Sequence, residues 1–431
     1  MILQKITNYF EGIKLKSICI FEDKKYQQLQ PLTYFRPVYH LRCGMLPLHK
    51  KIRRNYPNIR VELNTRAYLR DLIQQNHPDE FVSKIESENI LFLNGRILVD
   101  TNFHKIVPFE GKDEIFMSGS TFIGARLSGK NLQTLNESLK DVLSIDDFPY
   151  LPKREINVRI IEYPWDLITY NSEELISDYN ILTSLNENQI TDYLGVHFLN
   201  KENIFIGKNV KIKPGVILDA EDGPIYINDN AQIMHNASIQ GPAFIGEKTI
   251  IKMSATIYHN TSIGKVSKVG GEIEDTIIHG YSNKQHNGFL GNSYLGSWVN
   301  LGAGTTNSDL KNNYGTIKTL INNKFVESGK QFVGLTMGDH SKSAINTVFN
   351  TGAVVGVSSN IYGGTFPPKY LPSFSWGGSE ALTTYDIDRS IEVAERVMQR
   401  RDIELTEIDK DLFRKVFDIT ISERRQLGLP K

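Results

Sequence analysis

Isoleucine recurs at every sixth position of one stretch, as Ile227, Ile233, Ile239, Ile245, Ile251, Ile257 and Ile263. Four places after successive guide residues stand Ala231, Ala237, Ala243, Thr249, Ala255 and Thr261, and Gly246 and Gly264 directly follow a guide. Strands repeat every two residues and helices every 3.6, so neither element accounts for a period of six. Three hexapeptides close one triangular coil of about 18 residues, with the large aliphatic side chain stacked inward and the small residue at a corner. The stretch is expected to wind into a left-handed parallel β-helix. After an interruption the phase resumes at Phe289, Leu295 and Leu301. It returns more weakly at Met337, Ser343, Phe349, Val355 and Ile361, which extends the solenoid over about 204–361. Such a repeat fixes a fold and leaves function open, because β-helices also serve as inert scaffolds.

The flanks follow other patterns. Ser17-Ile18-Cys19-Ile20-Phe21 and Ile90-Leu91-Phe92-Leu93 read as buried strands, and the run from Ala67 to Gln75 reads as a helix. Strand and helix alternation predicts an α/β domain over 1–200. The β-helix domain is placed at 201–365. A C-terminal extension, 366–431, carries two charged amphipathic helices, with Asp386 and Asp388 suited to start the first. Tyr163-Pro164-Trp165-Asp166-Leu167 marks a candidate hand-over between the first two domains.

Lys plus Arg and Asp plus Glu both total 49, so a net charge of zero speaks against nucleic acid or an anionic membrane as the main partner. No run of 18 apolar residues suggests a membrane helix, and the first residues have no apolar stretch suited to a signal sequence. Two cysteines, Cys19 and Cys43, make no disulfide framework. A cytoplasmic setting is the expectation.

Chemistry concentrates between the two best-phased blocks, where the chain reads Y-S-N-K-Q-H-N-G-F-L-G-N-S-Y-L-G-S-W-V-N-L-G-A-G-T-T-N-S-D-L. The part from His286 to Asp309 resembles the acetyltransferase domain of bifunctional N-acetylglucosamine-1-phosphate uridyltransferase/glucosamine-1-phosphate acetyltransferases. That family has H-x-x-[Y]-L-G, then N-I-G-A-G-T, then an asparagine. The resemblance implies that His286 is the catalytic base and that Asn300 orients the substrate. It also implies that Leu301-Gly302-Ala303-Gly304-Thr305 meets the thioester of acetyl-coenzyme A. The roles are chemically sound. An attacking amine must lose a proton, and a neutral imidazole can take it near pH 7. A backbone N–H in a tight Gly-Ala-Gly turn can hold the developing oxyanion. His235, His259 and His279, three more of the ten histidines, read as solvated or capping residues.

Departures from the family are specific. Phe289 stands where the family has tyrosine, and Asp309 where it has a second asparagine. The family's phosphate-binding arginine and lysine are replaced, by Ile257-Tyr258-His259-Asn260 and by Glu274-Asp275. Acids there would repel a phosphate. Either Lys284 or Lys311 restores the lost charge, or the acceptor is not a hexosamine 1-phosphate.

Gln30-Pro31-Leu32-Thr33-Tyr34-Phe35-Arg36-Pro37-Val38 resembles the P-L-T-x-x-x-P-K element of sugar-1-phosphate nucleotidyltransferases. Phe21-Glu22-Asp23 stands where those enzymes carry a glycine-rich triphosphate loop, and Arg96 where they carry a metal-binding aspartate. The whole chain is similar to divergent nucleotidyltransferase-like proteins with a hexapeptide β-helix, common among Bacteroidetes. Arg36, Arg42 and Arg96 are candidate phosphate ligands of this domain, with surface or structural roles as the alternative.

These resemblances imply coenzyme A-dependent acyl transfer to an amino sugar phosphate or sugar nucleotide, a step of cell-envelope precursor synthesis. The alternative is a sugar-1-phosphate nucleotidyltransferase whose β-helix serves assembly; a non-catalytic sugar-nucleotide-binding protein is a third. Magnesium is implied only if the N-terminal domain is active, and no metal ligands are assigned. The prism's flat sides imply a homotrimer.

Overall fold

A computed structural model describes residues 16–80, 85 and 87–430; the N-terminal run considered for a signal sequence lies outside them. The chain divides into two compact units. Among the described residues, the first holds 16–26, 37–40 and those of 47–161, and the second holds 27–36, 41–46 and 162–430. The main division between the units falls between 161 and 162.

In the first unit, Lys16–Phe21 runs parallel to Arg60–Leu63 on one side and Asn89–Asn94 on the other. Thr121–Ser128, Glu114–Ser118 and Lys153–Glu155 complete a six-stranded mixed sheet. Its central strands are apolar on both faces because both faces are covered, by Ile52, Phe103 and Val107 on one side and Leu132, Leu135 and Phe148 on the other. The helix expected near Ala67 opens as a 3₁₀ turn, Ala67–Leu69, and continues as Arg70–Asn76.

The second unit is built on the left-handed parallel β-helix, three sheets of six, nine and ten strands, parallel except for the last strand of the third, Leu382–Thr384. The guide isoleucines stack in register: Ile227 on Ile245, Ile245 on Ile263, Ile233 on Ile251 and Ile239 on Ile257. All are buried, with Ala231, Ala237 and Ala243 beside them. Coils then shorten, so that Ile263 stacks on Ile278 and Ile273 on Leu290. The inward guide is therefore Leu290 and not Phe289, a correction of one residue caused by the shortened coil. Phe289 stays half-buried on the outside. A hairpin, Lys318–Ile321 with Lys324–Glu327, interrupts one coil, and Trp165 packs against Ile321 and the preceding Ile317. Coiling runs past 365, to Tyr370–Leu371 and Ser375–Gly377.

Helix Pro164–Leu185 lays Leu175 and Tyr179 against Phe205, Tyr226 and Phe244 of the β-helix. At the C-terminus, Ile387–Gln399 is capped by the Asp386 carboxylate on the Arg389 N–H, and Glu407–Ile419 by a Thr406/Asp409 box. A third short helix, Ile421–Gln426, follows. No helix among the described residues is long and apolar enough to cross a membrane.

Candidate functional site

Parallel stacking brings the two halves of the acyltransferase-like motif into contact. His286 is exposed in a bend after the strand Asn283–Lys284. The next coil carries Asn300–Leu301 and the turn that follows. Gly304 N–H donates to the Asn287 carbonyl at 3.1 Å, which ties the histidine loop to that turn. Gly288 sits at φ +119°, and a Cβ there would come within 2.1 Å of the Thr305 carbonyl, so only glycine allows this approach. Gly302 N–H is taken by Ser343 O at 3.1 Å. Between these two donors the Ala303 N–H has no partner among the described residues. Thr305 is buried, its hydroxyl 2.8 Å from the Ser343 hydroxyl.

Asn300 is half-exposed on the outer face and pairs with Asn283 below and Lys342 above. Phe289 and Asp309 converge over Gly291, where a Cβ would lie 2.4 Å from the Phe289 ring and 2.5 Å from the Asp309 carboxylate. Asn292 Nδ2 donates to Asp309 at 3.0 Å. Asn307 is buried in a strand, where its amide makes two 3.0 Å bonds to the Gly291 backbone.

The two lysines considered as substitute cations differ. Lys284 turns inward at a guide position, 1 % exposed, in the stack that continues Ile251 and Val269. Its ammonium donates to the carbonyls of Gly270, at 3.3 Å, and His286. Burial pushes its pKa down to about 8. It does not present charge to a ligand on the outer face, and that expectation is corrected. Lys311 lies in the loop before the hairpin, donating to the Thr316 carbonyl.

Where the resemblance puts phosphate-binding cations, His259, Glu274 and Asp275 each bring a ligand atom within 4.8 Å of the others. Burial and then the Asp275 charge hold the Glu274 carboxyl above its ordinary range. Consecutive coils assemble this group, and its spacing along the chain gave no metal signal. His235 is exposed, and His279 faces the Ser297 hydroxyl at 3.2 Å.

In the first unit the candidate phosphate ligand Arg96 is fully buried. It donates to Asp23 through Nε at 2.8 Å and Nη2 at 2.5 Å, and to the Ile161 carbonyl at 2.9 Å. Glu22 is equally buried and accepts from Arg66 at 2.9 and 3.1 Å, from Thr65, and from the Val38 N–H. The strand end that would carry a glycine-rich loop holds two paired carboxylates instead. Arg36 donates to Asp339 and Ser297 within the second unit, and Arg42 to the Met45 carbonyl. Their guanidiniums are engaged inside the protein, which corrects the nucleotide-binding expectation for Arg36 and Arg96.

Sequence reasoning missed a pocket of about 250 Å³ on the same outer face as Asn300. Lys268, Asn283, Asn300 and Lys342 form one ladder along its floor. Tyr281 and Trp298 stack in its wall with centroids 4.4 Å apart, and Arg400 and Arg401 close it.

Residues 18–187 match the family described as sugar nucleotidyl transferase. The chain is also similar to bifunctional nucleotidyl- and acetyltransferases. A bifunctional sugar-1-phosphate nucleotidylyltransferase/acetyltransferase of Sulfurisphaera tokodaii is 26 % identical over 244 residues, 54 % of each chain. The bifunctional protein GlmU of Wigglesworthia glossinidia brevipalpis is 31 % identical over 173 residues, 39 % of this chain and 34 % of that protein. The chain thus spans between a third and just over half of these relatives. A solved UDP-N-acetylglucosamine acyltransferase of Bacteroides fragilis aligns at 18 % identity and a TM-score of 0.28, over 54 % of this chain and 84 % of that one.

Proposed function

We propose that the second unit catalyses coenzyme A-dependent acyl transfer, with acetyl-coenzyme A as the donor, to an amino sugar phosphate or sugar nucleotide. The observation that carries this reading is the stacking of the exposed His286 loop against the Gly302-Ala303-Gly304 turn. His286 takes the proton of the attacking amine. The Ala303 N–H is the donor for the thioester oxyanion, since its neighbours are engaged. Asn300 orients the acceptor through its amide. The relatives' printed activities include acetyl transfer, in agreement. A homotrimer and a cytoplasmic setting belong to the same reading, and a trimeric mass by light scattering is expected.

His286→Ala tests it. The exposed imidazole contributes little burial, so the variant should melt like wild type while acyl transfer falls by about 10²- to 10⁴-fold. Unchanged turnover by folded His286→Ala protein would end this assignment.

The family match over 18–187 favours nucleotidyl transfer as a second reading. The residues at its expected metal position do not fit magnesium, because Arg96 replaces the acid and Asp23 is committed to Arg96. Pyrophosphate release from a sugar 1-phosphate and UTP, GTP or dTTP should be weak or absent; robust release would promote this reading over the first.

A further inference from the structure

The pocket beside Asn300 is lined by four cations and no carboxylate. Lys268 and Lys342 come from the floor ladder, and Arg400 and Arg401 from the end of helix Ile387–Gln399. None of the four has an ion-pair partner among the described residues. Their hydrogen bonds go to neutral groups: Arg401 Nη2 to Asn283 Oδ1 at 2.9 Å, and Lys342 Nζ to the His340 carbonyl at 2.8 Å. The negative end of the helix dipole amounts to about half an elementary charge, far short of balancing four cations. Uncompensated like charges around one partly buried cavity repel one another, and an anion placed among them removes that repulsion. Burial, then the neighbouring Arg401, Lys252 and Arg400 charges, draws the Lys268 pKa down. The Glu22 and Asp23 cluster of the first unit, by contrast, is internally paired.

We propose that this pocket binds the phosphate or pyrophosphate group of the acceptor, with Lys268, Lys342, Arg400 and Arg401 as its ligands. The arginines offer planar forks for phosphate oxygens and the lysines offer point charges. The Tyr281/Trp298 pair forms an apolar wall for the group attached to the phosphate. Gln285, which lines the pocket, directly precedes His286 in the chain, so the pocket and the proposed base share one loop. The acceptor role rests on the acyl-transfer reading; the anion site does not.

The test uses the full chain without acyl donor. Calorimetric titration with inorganic pyrophosphate should give saturable binding, with affinity falling steeply as salt is raised. Arg401→Gln and Lys268→Met should each weaken it by about tenfold or more, the loss of one charge-assisted contact. Both variants should melt at or above the wild-type temperature without ligand, because each removes a repelled charge. Absence of pyrophosphate binding, or equal binding by the variants, overturns the site. Competition by UDP-glucosamine, which keeps the free amine, supports the acceptor assignment, whereas competition by coenzyme A alone overturns it in favour of the donor. Failure here leaves the His286 test intact: a protein that transfers acyl groups but ignores pyrophosphate sinks only the pocket.

Discussion

Two regions of this protein gather charged side chains, and they treat that charge in opposite ways. At the end of strand Lys16–Phe21, Glu22 and Asp23 are matched one to one by Arg66 and Arg96 with two bonds each. Every fork is filled, so a nucleotide would have to displace a carboxylate to reach a guanidinium. On the outer face of the β-helix, Lys268, Lys342, Arg400 and Arg401 surround a cavity with no carboxylate among them. A folded chain keeps unpaired cations together only against a free-energy penalty. The first region has turned its charges into structure. The second keeps them available.

The largest effect expected from this contrast lies in the first region. Asp23→Ala leaves the wholly buried Arg96 without its bidentate partner and should destabilise the first unit by about 3–5 kcal/mol, as removal of one member of a buried pair does. Denaturant melts followed by a probe in that unit would measure it. A loss below about 1 kcal/mol would mean that water or another group satisfies Arg96, and the filled-fork account would fail.

Lys284 sharpens the comparison from the other side. It occupies a guide position with its ammonium on two carbonyls, and burial lowers its pKa to about 8 from an ordinary 10.5. Lys284→Met puts an apolar chain into an apolar stack and should stabilise the second unit by roughly 1–3 kcal/mol. Acyl transfer should nevertheless fall, because the lost bond holds the His286 carbonyl; a fall in kcat with KM little changed would separate positioning from binding. The sign of the pH dependence follows. Between about pH 8 and 10.5 the unfolded chain holds a proton that folded Lys284 has released, so stability rises with pH across that window. Lys342, also held near 8 by burial, contributes in the same direction. Lys284→Met should remove one share of the rise. A variant that melts lower than wild type at pH 7 would show that the two carbonyl bonds outweigh burial of the charge.

How much of this was legible in the sequence depends on periodicity. Seven isoleucines in register specify coils of one length, and those coils form with their guides buried. The shortened coil between Ile263 and Ile278 breaks the count, which is why Phe289 read as a guide in place of Leu290, and why Lys284 read as a surface cation. Lys268, Asn283, Asn300 and Lys342 each stand one residue before an inward position. Their alignment therefore has a signal in the sequence, but it emerges only once the coil lengths are known, and the hairpin delays Lys342. Arg400 and Arg401 arrive from the end of a C-terminal helix, Arg401 reaching Asn283 across 118 residues, a tertiary contact that no spacing announces. In the first unit the replacement of an acid by Arg96 was legible; its pairing with Asp23 was not, because strand adjacency and not sequence distance brings them together.

The smallest expected effect discriminates between the two sources of positive charge considered for the β-helix. Lys311 borders a shallow cavity with Asn312, Asn313 and Asn350, away from the Asn300 ladder, and donates only to the nearby Thr316 carbonyl. It is half-exposed, so solvent screens its charge and its bond is local. Lys311→Ala should shift stability by no more than about 0.5 kcal/mol, the usual range for a surface substitution. Pyrophosphate affinity should stay within twofold of wild type while Lys268→Met loses about tenfold. Calorimetry on the two variants at one salt concentration makes the comparison direct. A tenfold loss in Lys311→Ala with none in Lys268→Met would move the anion site to the hairpin loop and leave the four-cation pocket without a ligand.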